Sequence, residues 1–205
     1  FKTITITPAA AKDSTIRYNG TTLKQGETIT GENGGTATVD SKNNTITLDN
    51  FKGNYPLEFN AEFTPNSIIL IGDSTLSAVE TKYQNLTISG SGSLTVGSIK
   101  VHNQKASSDD KPNLTINGAT VTVGTAELTT RAIDIDGDLT VTNGSLTATS
   151  ASNNVPTVQV GGNASFTGST VTITNNSTTQ GEQYKDSNAA SSALHVNGAV
   201  TISGG

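Results

Sequence analysis

The sequence predicts an all-β fold: a right-handed, single-stranded parallel β-helix with three strands per coil of about 25 residues and a small N-terminal antiparallel β cap. Three observations predict it. First, a phrase recurs in which an apolar–Thr–apolar triplet, a turn containing Gly or Asn, and a second such triplet follow one another. It reads Leu86-Thr87-Ile88 with Leu94-Thr95-Val96, Leu114-Thr115-Ile116 with Val121-Thr122-Val123, and Leu139-Thr140-Val141 with Leu146-Thr147-Ala148. A looser copy is Ala164-Ser165-Phe166 with Val171-Thr172-Ile173, and another starts at Val200-Thr201-Ile202. Successive starts lie 28, 25, 25 and 36 residues apart, a spacing typical of solenoids. Second, no stretch carries the pattern of a three-turn amphipathic helix. Third, only 32% of residues are hydrophobic and 4% aromatic. That is too little for a thick layered core, but enough for a thin one if alternate residues of many short strands point inward.

Taken in order, residues 1–50 read as the cap, continuous with a solenoid over 51–205. Phe1 to Thr7 alternates with period two, and Asn19-Gly20 and Asn43-Asn44 read as hairpin turns. A cap is economical because an open solenoid end exposes apolar side chains and strand edges. Leu57-Glu58-Phe59 and Ile68 to Ile71 read as early strands. A third strand precedes each later coil: Ile99-Lys100-Val101, Ile133-Asp134-Ile135, Val158-Gln159-Val160 and Leu194-His195-Val196. Because the copy at Val200 is incomplete, the chain reads as a fragment of a longer protein, with the solenoid truncated at its C-terminus.

Stacking the copies puts Leu86, Leu114, Leu139, Ala164 and Val200 in one inner column, and Thr87, Thr115, Thr140, Ser165 and Thr201 in an outer one. Corners vary more than strands. Asn103–Asn113 bulges where its counterparts are short, and the corner after the second triplet lengthens through 124–131 and 149–157 to about 174–192. Insertions on one face of a solenoid often mark its binding face.

The net charge of −5 and pI near 4.9, with no Lys/Arg stripe, argue against nucleic acid. No apolar run approaches membrane-spanning length, so no membrane insertion is expected in this segment. The absence of cysteine excludes disulfides and thiolate metal sites, and fits an exported protein.

Three constellations could carry chemistry. Asp109, Asp110, Asp136 and Asp138, with Asp134 nearby, gather enough carboxylates at one corner to hold Ca²⁺. The competing reading is solvated outward carboxylates, and Asp-Ile-Asp-Gly-Asp misplaces its Gly for an EF-hand loop. Outside the third strand, Lys100, Asp134, Gln159 and His195 form a mixed column beside His102, Asp136 and Asn197. Lys100 over Asp134 reads as an exposed ion pair, and the two histidines lie too far apart to share a metal. In the longest loop, Tyr184 offers a sugar-stacking ring flanked by Glu182 and Lys185. Arg131 completes this candidate ligand-binding set, whose alternative role is to pin the loop.

Tyr18-Asn19-Gly20, Asn44-Thr45-Ile46-Thr47-Leu48, Asn85-Leu86-Thr87-Ile88-Ser89-Gly90 and Asp138-Leu139-Thr140-Val141 resemble repeats of large surface proteins from gut-dwelling Gram-positive bacteria. That resemblance implies a secreted or wall-attached protein. A more distant similarity, to β-helix carbohydrate-binding proteins shaped like pectate lyases, implies polysaccharide binding, sometimes with calcium. The leading expectation is a non-catalytic extracellular module that binds a polysaccharide or host glycan, or acts as an adhesin. One alternative is a β-helix polysaccharide lyase or glycoside hydrolase, with Arg131 or Lys100 as base. The other is an ice-binding protein using its Thr columns.

Overall fold

The computed structural model describes residues 15–105, 109–178 and 192–204. Among them the chain is all β, with no helix. Its strands stack into three sheets that the chain visits in rotation, the arrangement of a parallel β-solenoid. Sheet A stacks β6 (Leu57–Phe59), β9 (Val79–Thr81), β12 (Ile99–Val101), β15 (Ile133–Ile135), β18 (Val158–Val160) and β21 (Leu194–Val196) in parallel. Sheet B stacks β5 (Thr45–Asp49), β7 (Asn66–Leu70), β10 (Leu86–Gly90), β13 (Leu114–Asn117), β16 (Leu139–Thr142), β19 (Ala164–Thr167) and β22 (Val200–Ser203). Sheet C contains β8 (Asp73–Leu76), β11 (Ser93–Val96), β14 (Thr120–Gly124), β17 (Ser145–Ser150) and β20 (Thr170–Asn175).

Register follows the repeat residue for residue: Leu86 opposes Leu114, Leu114 opposes Leu139, and Thr87 opposes Thr115. Because strand side chains alternate, the apolar members of each triplet point inward. Leu86, Ile88, Leu114, Ile116, Leu139 and Val141 are fully buried, each stabilising the fold by about 1.5–3 kcal/mol. Further down the stack the same inner column turns polar. Asn66 opposes Leu86 and is buried, and its side-chain oxygen accepts a hydrogen bond from buried Asn44.

At the N-terminal end, β1 (Ile16–Tyr18) pairs antiparallel with β6, and β2 (Thr21–Thr22) with β1. Asn19 and Gly20 join them at φ 51° and 71°, the left-handed pair of a type I′ hairpin turn. β3 (Thr28–Thr30) and β4 (Thr36–Asp40) continue sheet B antiparallel beyond β5. Parallel pairing in sheet B therefore begins at Thr45. At the other end, β22 has no further neighbour among the described residues, and its inward-facing Val200 and Ile202 are 50% and 74% exposed.

The corner from sheet B to sheet C explains the Gly or Asn in each phrase. Gly90, Gly118, Asn143, Gly168 and Gly204 occupy equivalent positions, all at positive φ, a conformation cheap for Gly and tolerated by Asn. At Gly90 a Cβ would also lie 2.1 Å from the Leu70 carbonyl oxygen. This corner stays tight, so the solenoid varies elsewhere.

Candidate functional site

The outward side chain at the centre of each sheet A strand forms a column running Arg17, Glu58, Glu80, Lys100, Asp134, Gln159, His195. Corners flank it on both sides. On the side leading to sheet B, successive corners stack through 82–85, the described parts 102–105 and 109–113 of the bulge, 136–138, 161–163 and 197–199.

Polar contacts fix the base of this bulge. Asp136 Oδ2 accepts the Asn103 backbone N–H at 2.7 Å, and Asn103 Nδ2 donates to the Asp110 carbonyl at 2.8 Å. The Gly137 N–H reaches the Pro112 carbonyl at 3.0 Å. Between the bulge and the following coils lies an open groove of about 480 Å³. Asp109, Asp110, Lys111, Asp136, Asn103, Gln159 and Asn197 line it. A second groove of about 320 Å³ lies on the other flank, against Lys100, Arg131 and Asn154. Asp134 borders both.

Asp134 is the electrostatic centre. Its Oδ2 lies 3.2 Å from Arg131 Nη1 and 3.5 Å from His102 Nε2. Burial pushes its carboxyl up, but contact with His102 and the charge of Arg131 outweigh this and hold it below its ordinary value. The same contact raises His102. It outweighs the opposing effect of burial, and the charges of Asp134 and Asp136 add to it against Lys100. The expected Lys100–Asp134 pair is corrected: among the described residues Asp134 pairs with Arg131, and with His102 when its imidazole is protonated. Arg131 reaches across its corner with a longer side chain and a directional donor.

The four aspartates grouped as calcium ligands separate. Asp109, Asp110 and Asp136 line the larger groove. Asp138 belongs instead to a ladder along the corner. Asn85 Oδ1 accepts the Asn113 N–H at 2.8 Å, and Asn113 Oδ1 accepts the Asp138 N–H at 2.7 Å. Asp138 Oδ1 accepts the Asn163 N–H at 2.6 Å, and Asn163 Oδ1 accepts the Ala199 N–H at 2.9 Å. Each rung satisfies a corner N–H of the next coil. Among the described residues no three His, Asp or Glu side chains are grouped to hold a metal ion.

Glu182, Tyr184 and Lys185 lie outside the described residues. Sequence reasoning passed over Tyr83, which sits in the corner just before Asn85 and lines a third groove of about 330 Å³. Its signal was an aromatic at a solvent-facing corner rather than at an inward strand position. No helix among the described residues is long and apolar enough to cross a membrane. Comparison with protein-family models, curated proteins and solved structures finds no match to this chain.

Proposed function

We propose that this chain is a non-catalytic, extracellular or wall-attached module that binds a glycan along the outer face of sheet A, on a right-handed, single-stranded β-helix. One observation carries the reading. The solenoid departs from its repeat where the bulge walls a groove of about 480 Å³ lined by amides and carboxylates. Such groups exchange hydrogen bonds with sugar hydroxyls, and an open groove admits a polymer from the side. The handedness rests on the strong preference of parallel crossovers for the right-handed turn, about 98% of cases.

Asp134 supports the non-catalytic part in one respect, the general-acid role. Its carboxyl, held low by Arg131 and His102, is a poor general acid, whereas glycoside hydrolysis needs a carboxyl whose pKa is raised.

Affinity electrophoresis against xylan, galactomannan, mixed-linkage glucan, polygalacturonate and mucin tests the reading. A Gln159→Ala/Asn197→Ala variant should lose roughly tenfold in affinity, about 1.4 kcal/mol, while Thr115→Ala on sheet B should not. Equal binding by both variants would remove the groove from the account. Release of reducing or unsaturated ends would overturn the non-catalytic reading.

A further inference from the structure

The bulge has two flanks. In the coil before it, the corner at 82–85 faces it across the third groove, which is bordered by Tyr83, Gln84, Asn85, Asn113 and, from the bulge, Asp110 and Lys111. Asp110 and Lys111 also border the sheet A groove. The two grooves therefore meet at the bulge.

Tyr83 borders the third groove, and Lys105 links it to a second ring, Phe63, which borders a smaller neighbouring cavity. Phe63 is 77% exposed and contributes little to the core. Lys105 Nζ lies 4.8 Å from the Phe63 ring centroid and 5.8 Å from that of Tyr83. Glu62 holds the same ammonium at 3.1 Å. An anchored cation over both rings restrains them, so the ring positions are set before anything binds, and a sugar would stack on a ring face that Lys105 does not cover. The side-chain oxygens of Asn85 and Asn113 are occupied by backbone N–H groups. That fixes the orientation of both amides and leaves their NH₂ groups as donors of defined position.

We propose that Tyr83, with Phe63 beside it, is a stacking subsite for a neutral pyranose, so that a glycan in the sheet A groove continues over the bulge onto the aromatic pair. An aromatic ring beside fixed amide donors matches a sugar, which presents an apolar C–H face and a rim of hydroxyls. Neutral sugars are favoured over uronates by charge. Asp109, Asp110 and Asp136 outnumber Lys111 around the larger groove, and like charge there repels a carboxylate-bearing polymer. The inference rests on the glycan-binding reading above.

The test titrates the wild-type chain, Tyr83→Ala, Tyr83→Phe and Phe63→Ala with soluble xylan, galactomannan, mixed-linkage glucan and polygalacturonate, and records each melting temperature. The chain has no tryptophan and four tyrosines, so tyrosine fluorescence reports binding alongside calorimetry. Tyr83→Ala should weaken binding to the preferred neutral polymer about tenfold, Phe63→Ala less, and Tyr83→Phe should retain wild-type affinity. Wild-type binding that Tyr83→Ala leaves unchanged overturns the subsite and leaves the glycan-binding reading standing. A loss in Tyr83→Phe equal to that in Tyr83→Ala overturns stacking. Should Tyr83→Ala melt early, Phe63→Ala decides, since its ring is mostly in solvent: unchanged affinity there overturns the aromatic pair. Preference for polygalacturonate overturns the neutral-sugar assignment, and a wild type that binds none of the four overturns the glycan-binding reading and the subsite together.

Discussion

Sheets A and B share one backbone plan, yet their outer faces differ. Down sheet B the central outward column reads Thr45, Ser67, Thr87, Thr115, Thr140, Ser165 and Thr201. Down sheet A it reads Arg17, Glu58, Glu80, Lys100, Asp134, Gln159 and His195. Sheet B repeats a small β-branched or hydroxyl residue, which favours strand and stays soluble. Sheet A changes residue at almost every step. Parallel pairing therefore does not dictate what stands outside it, and sheet A is where residue choice is free to serve something else. The grooves border that sheet, and the bulge walls the larger of them.

The largest way to probe this contrast is to cross from the outside of sheet B to its inside. Leu114→Ala should cost about 2–5 kcal/mol, because Leu114 is fully buried between equivalent leucines and the coil cannot collapse onto the cavity. Thr115→Ala, one residue on and facing out, should stay within about 0.5 kcal/mol. Urea unfolding of both variants measures the difference. Similar losses would mean that the Thr column contributes to stability as an interlocked face rather than an inert one.

A smaller effect is expected at the corner ladder. Asp138→Ala removes the acceptor of the Asn163 N–H, bonded at 2.6 Å at an exposed corner where water can take its place, at a cost of about 1–1.5 kcal/mol. Asp138→Asn keeps an oxygen in place and should cost much less. Thermal melting with calcium and then with chelator adds a control. If calcium stabilised the wild type but not Asp138→Asn, Asp138 would be a cation ligand and not a rung.

This position shows how far the sequence could be read. The apolar triplets and their register were legible because period-two alternation and a near-constant repeat leave one consistent stacking. The ladder was legible too, since Asn85, Asn113, Asp138 and Asn163 each stand one residue before a triplet. Asp138 was instead grouped with nearby aspartates, because side-chain charge is easier to see in a sequence than a shared offset. The Arg131–Asp134 contact could not be read, since it depends on how a long corner reverses direction. Nor could the buried Asn44–Asn66 pair. Its place in the Leu86 column shows only once β5 is seen to pair with β7 in parallel.

The smallest of the three losses expected is also the most diagnostic of sheet A. His102 is raised above its ordinary 6.5 and Asp134 lowered below its ordinary 3.8. The contribution from His102 is complete below pH 6.5 and fades as pH rises through its higher folded value. That from Asp134 is complete above pH 3.8 and fades as pH falls through its lower folded value. The stability lost in Asp134→Asn should therefore be greatest between these two limits. Above them it should shrink without vanishing, because Arg131 stays charged at 3.2 Å from the carboxylate. In strong acid it should disappear. Partial exposure of all three side chains keeps the maximum to about 1 kcal/mol. Melting curves of wild type and variant across this range measure it. A difference that stayed flat from mildly acidic to mildly alkaline pH would mean that His102 is not coupled to Asp134. Asp134 would then answer to Arg131 and not to His102, and the contrast of sheet A with sheet B would be one of composition without a proton-sensitive centre.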